Sequence, residues 1–324
     1  MSFKTNRMVI VLTLVFFTFI AFSLNAYAAY PEEPVKIMVG HSAGGSTDVV
    51  ARTFAPFLSK YLGAPVVVNN MEGAGGRVML KYVNTQPADG YTLCMVVTPS
   101  YLNVQLMRKP SWDLREFTYF GGVGGGDSNG LIVPYNSKFS TFAEVLEAAK
   151  KEPITLAGTS PGSNSWLMAV LLRQYAGGFK FEYVPFNSGK EASMAIVGGH
   201  VTMGVASTIN FPDLVKEKKI KVLGVASAKR LATLPEAPTF AEMGYPKVNV
   251  VTEQVFGGPP KLPAEVIKVL VEAAKKAVND PEFVSIAEKQ GFSVDPMSAQ
   301  ETEQSVMETY TAIQEVLQAA GELK

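Results

Sequence analysis

The chain has 324 residues, 47% hydrophobic and 18% charged, with 29 basic residues against 29 acidic. That much apolar content excludes overall disorder, and the length allows about two packed domains. Balanced charge lacks the footprint of a nucleic-acid binder, so no nucleic-acid partner is expected. A single cysteine, Cys94, excludes an internal disulfide, and with only His41 and His200 beside it no metal or cofactor is expected.

Lys4 and Arg7 precede an apolar run from Met8 to Leu24, followed by Asn25-Ala26-Tyr27-Ala28. A basic start, an apolar stretch and an A-x-A site read as a signal peptide over residues 1–28. The other reading is an uncleaved anchor, although the 17-residue run falls short of the ~20 residues a span needs. Cleavage would leave 27 basic and 29 acidic residues, a net of −2, in an exported, periplasmic protein.

Next come segments that alternate between strand and helix patterns, which predicts a parallel α/β architecture. Val35–Val39 reads as a strand. Ser46–Leu62 reads as a helix with Val50, Phe54, Phe57, Leu58 and Tyr61 on one face, kinked or ended by Pro56. Pro65–Val68, Arg77–Asn84 and Tyr91–Val97 follow as strand, helix and strand. The first strand runs into Ser42-Ala43-Gly44-Gly45 and the second into Gly73-Ala74-Gly75-Gly76, the Gly-Gly pairs lying 31 residues apart, about one βαβ period. Parallel strands would place both loops at one carboxyl edge, each opening a helix with free backbone N–H groups. Such loops suit a carboxylate or phosphate without any lysine or arginine; equally, they can serve as tight strand-to-helix turns. Asp48 stands in the first helical turn, where it complements the helix dipole and can hold the loop.

Glycine-rich residues 121–130 read as the linker to a second block of similar style. There, Leu131–Val133 is a strand and Thr141-Phe142-Ala143-Glu144 a capping box opening a helix to Lys150. Ile154–Ala157, Phe181–Val184, Val201–Ala206 and Val222–Ala226 are strands, with helices over Ser165–Tyr175 and up to Val197. Their exits are rich in Ser, Thr, Asn and Gly. Residues 263–323 are mostly helical, with breaks at Asp280-Pro281 and Gly291.

Gly40-His41-Ser42-Ala43-Gly44 matches the G-x-S-x-G elbow of α/β-hydrolases. An exported serine hydrolase with Ser42, Asp127 and His200 is therefore the alternative of a different class. Too little chain precedes Ser42 to supply earlier strands, and no HGGG-type segment lies upstream. The protein is thus expected not to be an enzyme.

The combined motifs point further. Ser42-Ala43-Gly44-Gly45-Ser46-Thr47-Asp48 with Ala51-Arg52, Asn70-Met71-Glu72-Gly73-Ala74-Gly75-Gly76 and Ala88-Asp89-Gly90-Tyr91-Thr92-Leu93 occur in order. Gly162-Ser163, Val184-Pro185-Phe186 and Ser227-Ala228-Lys229-Arg230 with Leu234-Pro235-Glu236-Ala237-Pro238-Thr239 follow. Together they make the chain resemble, over nearly all of its mature length, the TctC-like or Bug group of periplasmic receptors of tripartite tricarboxylate transporters. The resemblance implies a two-lobed, hinged periplasmic-binding-protein fold of type II with an interlobe cleft. Lobe one would combine residues 29–126 and 229–324, and lobe two residues 127–228.

It also implies a small carboxylate ligand, membrane permease subunits as partners and a monomeric state; a sensor feeding a signalling partner is a further possibility. Implied ligand contacts are Ser42, Ala43, Gly44, Gly45, Gly73, Ala74, Gly75 and Gly76 in lobe one, with Asp48 in support. Ser160, Ser163, Asn187, Ser207 and Thr208 are those of lobe two, with Lys190 a weaker candidate. Ser100 and Tyr101, after the third strand, would join the same edge, Tyr101 touching ligand or merely packing. Arg77, beside the second loop, is the arginine to test.

Three departures bear on the ligand. Gly40-His41 replace the family's usual Pro-Phe, Trp166 its usual His, and Ala206 a frequent Asp. Loss of the Asp disfavours an amino acid. Trp166 either packs or flanks the cleft, and His41 is expected to strengthen carboxylate binding at mildly acidic pH.

Overall fold

The computed structural model describes residues 30–177, 179–186 and 188–323. The expected signal peptide and Asn187 lie outside the described residues. In chain order the first half gives β1 (Val35–Val39), α1 (Ser46–Leu62), β2 (Val66–Asn70), α2 (Arg77–Asn84), β3 (Thr92–Thr98), α3 (Ser100–Arg108) and β4 (Thr118–Pro134). The second gives α4 (Phe142–Lys151), β5 (Ile154–Gly158), α5 (Asn164–Tyr175), β6 (Phe181–Pro185), α6 (Gly189–Val197), β7 (Met203–Ser207), α7 (Phe211–Lys216) and β8 (Ile220–Val225). The chain returns through β9 (Val251–Gly258) and closes with α8 (Ala264–Val278), α9 (Pro281–Lys289) and α10 (Ala299–Ala319).

β1 lies between β2 and β3, parallel to both. In the second lobe β5 likewise lies between β6 and β7, parallel to both. The expected parallel units are therefore present twice, but antiparallel strands join them. β9 pairs antiparallel with β3 and with the first part of β4, and β7 and β8 take the remainder of β4.

Residues 121–130 are thus not a linker but the middle of the 17-residue β4, the strand shared by both lobes. Its glycines have a local reason. Against β9 the register slips three times, between Tyr119 and Gly121, Gly122 and Gly124, and Gly125 and Asp127. Bulges of this kind twist and bend a strand, which carries β4 from one sheet into the next. Gly124 has φ +78° and lies so close to the Asp295 carbonyl that any Cβ would collide with it.

α1 runs unbroken through Pro56. Its apolar stripe explains why: Val50, Phe54, Phe57 and Leu58 are buried, and the Phe54 ring stacks 4.0 Å from Phe256 of β9. Burying each such ring is worth about 1.5–3 kcal/mol, which outweighs much of the cost of one lost helical hydrogen bond. α4 starts with the expected capping box between Thr141 and Glu144. Cys94 is a buried, free thiol within β3.

Residues 229–250, expected in lobe one, pack instead with lobe two. Leu234, Ala237, Phe240, Val248 and Val250 lie in the cores of the second sheet, and the Phe240 amide donates to the Val225 carbonyl. The return crossing therefore occurs at the start of β9. Among the described residues no helix is long and apolar enough to cross a membrane.

Candidate ligand-binding site

Because β2, β1 and β3 are neighbouring parallel strands, their three exits share one edge of the sheet. Strand order 2-1-3 places a topological switch point between β1 and β3, where open α/β sheets bind ligands. The two glycine loops touch there, since a Cβ on Gly40 would come 2.9 Å from the Gly76 Cα.

The first loop is held from within by Asp48, which is 2% exposed. Its Oδ2 accepts from the Gly44 amide at 2.8 Å and from Arg52 Nε at 2.9 Å, and its Oδ1 accepts from Asn70 Nδ2 at 2.9 Å. Burial alone would raise the Asp48 pKa. The hydrogen bonds from Arg52, the Gly44 amide and Asn70 outweigh it and hold the carboxyl below its usual range. Gly45 donates to the Ser42 carbonyl at 3.1 Å. Two of the four loop amides expected for a ligand are therefore engaged inside the loop. Among the described residues, those of Ser42 and Ala43 find no hydrogen-bond acceptor, and neither do those of Ser46 and Thr47, because α1 has no side-chain cap.

The second loop winds left-handed through Ala74 (φ 49°), Gly75 (φ 66°) and Gly76 (φ 90°) into α2, which also lacks a side-chain cap. Tyr101 explains the glycine at position 76, where a Cβ would lie 2.3 Å from its ring. Fully buried, Tyr101 stands beneath both loops. Its hydroxyl takes a hydrogen bond from the Gly40 backbone and lies 3.3 Å from His41 Nδ1. It supports the loops and presents no free face to a ligand in this conformation. The His41 ring stacks on Tyr101 with centroids 5.4 Å apart, and enclosure lowers its pKa to about 4. His41 is therefore neutral at mildly acidic pH, contrary to the expectation from sequence; the cause is desolvation of the imidazolium.

The second lobe approaches these loops through the turn after β5, which meets α3 of the first lobe. Val104 touches both sides: a Cβ on Gly75 would be 3.2 Å from its Cγ2, and one on Gly162 3.0 Å. Trp166, 8% exposed, belongs to the same apolar cluster as Tyr101 and Leu102, so it packs at the junction between lobes. Beside this contact lies a cavity of about 150 Å³. Ala74 and Arg77 line it from the second glycine loop, Val104, Met107 and Arg108 from α3, and Ser160 and Pro161 from the second lobe.

The remaining candidates fall into place unevenly. Ser163 caps α5, accepting from the Trp166 amide, and its hydroxyl lies 2.9 Å from that of Ser165. The Thr208 hydroxyl is engaged with both the amide and the carbonyl of Ser128, and Ser207 accepts from the Ile209 amide. Both therefore brace β4 and the turn after β7, leaving little for a ligand. Ser100 is buried at the start of α3, and Lys190 is exposed on α6. His200 is exposed just before β7, which runs parallel to β5. It thus stands about 16 Å, one strand length, from the edge where Ser160 sits, which speaks against the Ser42–His200 pairing that the hydrolase alternative requires.

Sequence reasoning missed α3 and with it Val104, Met107 and Arg108. The apolar positions 102, 104, 106 and 107 fit neither a clean strand nor a clean helix period, so the segment carried little signal. Also missed were Asn103 and Gln254, fully buried amides whose polar atoms have no protein partner, and the Oδ1 of Asn164, whose Nδ2 donates to Thr252.

The chain is 32% identical over 301 residues to the UPF0065 protein in the gbd 5′ region of Cupriavidus necator, covering 90% of this chain and 89% of that one. It superposes on the periplasmic binding protein BugD with a TM-score of 0.83 at 28% identity, covering 91% of this chain and all of BugD. The fold also matches MatC from Rhodopseudomonas palustris, solved with bound malate, with a TM-score of 0.81 at 23% identity, over 89% of this chain and 100% of that one. The tripartite tricarboxylate transporter family receptor pattern matches residues 50–322, from α1 to the end of the last helix. With a two-lobed fold, a shared hinge strand and relatives aligned along most of their length, the chain belongs to the tripartite tricarboxylate transporter receptor family.

Proposed function

We propose that the protein is an exported periplasmic receptor that captures a small carboxylate between its lobes and presents it to membrane permease subunits of a tripartite tricarboxylate transporter. One observation carries this reading: two uncapped glycine loops meet at one sheet edge, and the second of them lines a cavity together with Ser160 and Pro161 of the other lobe. The free amides of Ser42, Ala43, Ser46 and Thr47 give one carboxylate a grip that needs no side-chain cation. Ala74 and Gly75 form the adjoining wall, and Ser160 and Ser163 offer hydroxyl groups from lobe two. Asp48, Tyr101 and Thr208 hold these elements in place.

A cavity of about 150 Å³ has the size that accepts benzene, so it suits a small solute. Contacts to both lobes exist together only when the lobes are closed, so binding shifts the protein toward closure about β4 and β9. Each monomer carries a complete cleft. The family and the malate-bound fold neighbour support a carboxylate as the solute.

Thermal shift and calorimetry over di- and tricarboxylates, aromatic acids and amino acids test this. At a hundred times Kd, a true ligand adds about 2.7 kcal/mol and raises Tm by roughly 5–10 °C, while its amide does nothing. No shift with any carboxylate would sink the reading. Fluorophosphonate labelling of Ser42 would point to the hydrolase instead.

A further inference from the structure

We propose that Arg77 and Arg108 form a second anion subsite in the interlobe cavity, selecting a short dicarboxylate over a monocarboxylate. The inference rests on the receptor reading above and assigns the far end of the same ligand. Arg77 is the first residue of α2, directly after the second glycine loop, and Arg108 is the last residue of α3. Both line the 150 Å³ cavity, although they come from different elements. Neither forms an ion pair among the described residues, whereas Arg52, Arg115 and Arg230 each sit on a carboxylate within 3 Å. Glu72, the acidic residue nearest to Arg77 in the chain, is exposed and forms no ion pair.

Two like-charged guanidinium groups beside one cavity, without a counter-ion from the protein, repel each other and favour a bound anion. The rest of that cavity carries no acid: Ala74, Val104, Met107 and Pro161 are apolar, and Ser160 brings a hydroxyl. Val104 and Met107 give the same cavity an apolar wall that suits a methylene chain. A dicarboxylate of about four to six carbons suits that volume, with one end against Ala74 of the second glycine loop and the other on the arginine pair.

Calorimetric titration tests this with succinate, glutarate and adipate against butyrate, valerate and hexanoate, on wild type, Arg77→Gln, Arg108→Gln and the double variant. Wild type should bind at least one diacid about tenfold or more tightly than its monoacid partner. Each single variant should lose about 10–100-fold for the diacid and under threefold for the monoacid. Because neither arginine has an ion-pair partner among the described residues, ligand-free melting temperatures should match wild type, separating loss of binding from loss of fold. If the variants keep wild-type diacid affinity, or lose diacid and monoacid equally, the arginine subsite is wrong while the receptor reading stands. If wild type binds none of the six acids, the dicarboxylate subsite is wrong, and the receptor reading is decided by the wider carboxylate screen.

Discussion

Gly76→Ala is the substitution that most directly probes how the site is built. Position 76 has φ 90°, a conformation that costs an L residue about 1–2 kcal/mol. The new methyl would also sit 2.3 Å from Cε1 and 2.6 Å from Cζ of Tyr101, a ring with no exposed surface and no space to retreat. Overpacking of that kind costs about 1–3 kcal/mol. Together the loss is about 2–5 kcal/mol, a fall in Tm of roughly 5–15 °C for a domain pair of this size. Urea denaturation of wild type, Gly76→Ala, Tyr101→Ala and the double variant separates the contributions. The clash needs the ring, so the alanine should cost less in the Tyr101→Ala background, leaving a coupling of at least about 1 kcal/mol. A loss below about 0.5 kcal/mol, or one unchanged without the ring, would refute Tyr101 as the post beneath the loops.

Two other expectations follow from the same geometry. His41 has a folded pKa of about 4 against an ordinary value of 6.5, so between these pH values the unfolded chain takes up a proton that the folded one refuses. Stability should therefore fall as pH drops from 6.5 to 4, and His41→Asn should flatten that slope in pH-resolved melts; carboxylate affinity should be insensitive to His41 between pH 5.5 and 8. Gly162→Leu should weaken closure, because position 162 has φ +95° and a side chain there meets Val104 of the other lobe. Small-angle scattering with saturating ligand should show a larger radius of gyration than wild type; identical closed dimensions and affinity would count against the contact.

Each feature was legible in proportion to how local its cause is. The capping box at Thr141, the breaks at Asp280-Pro281 and Gly291, and the apolar stripe of α1 depend on residues within a turn or two, and all are present. The two glycine loops were equally readable, since their spacing follows one βαβ unit and parallel pairing puts them on one edge. α3 was not, because its partners are Gly75 and Gly162, far away along the chain, and its own pattern is nearly uniformly buried.

The loops, the family motifs and the α/β pattern are legible in residue order alone, for they arise from backbone freedom and short-range periodicity. Long-range packing settles that residues 121–130 form a bulged strand shared by both lobes, that residues 229–250 side with lobe two, and that Tyr101 stands beneath the loops. It also decides which amides stay free, because Asp48 and the Ser42 carbonyl claim those of Gly44 and Gly45. Strand pairing, lobe packing and hydrogen-bond competition are contests between distant segments, and their outcome depends on every candidate partner at once.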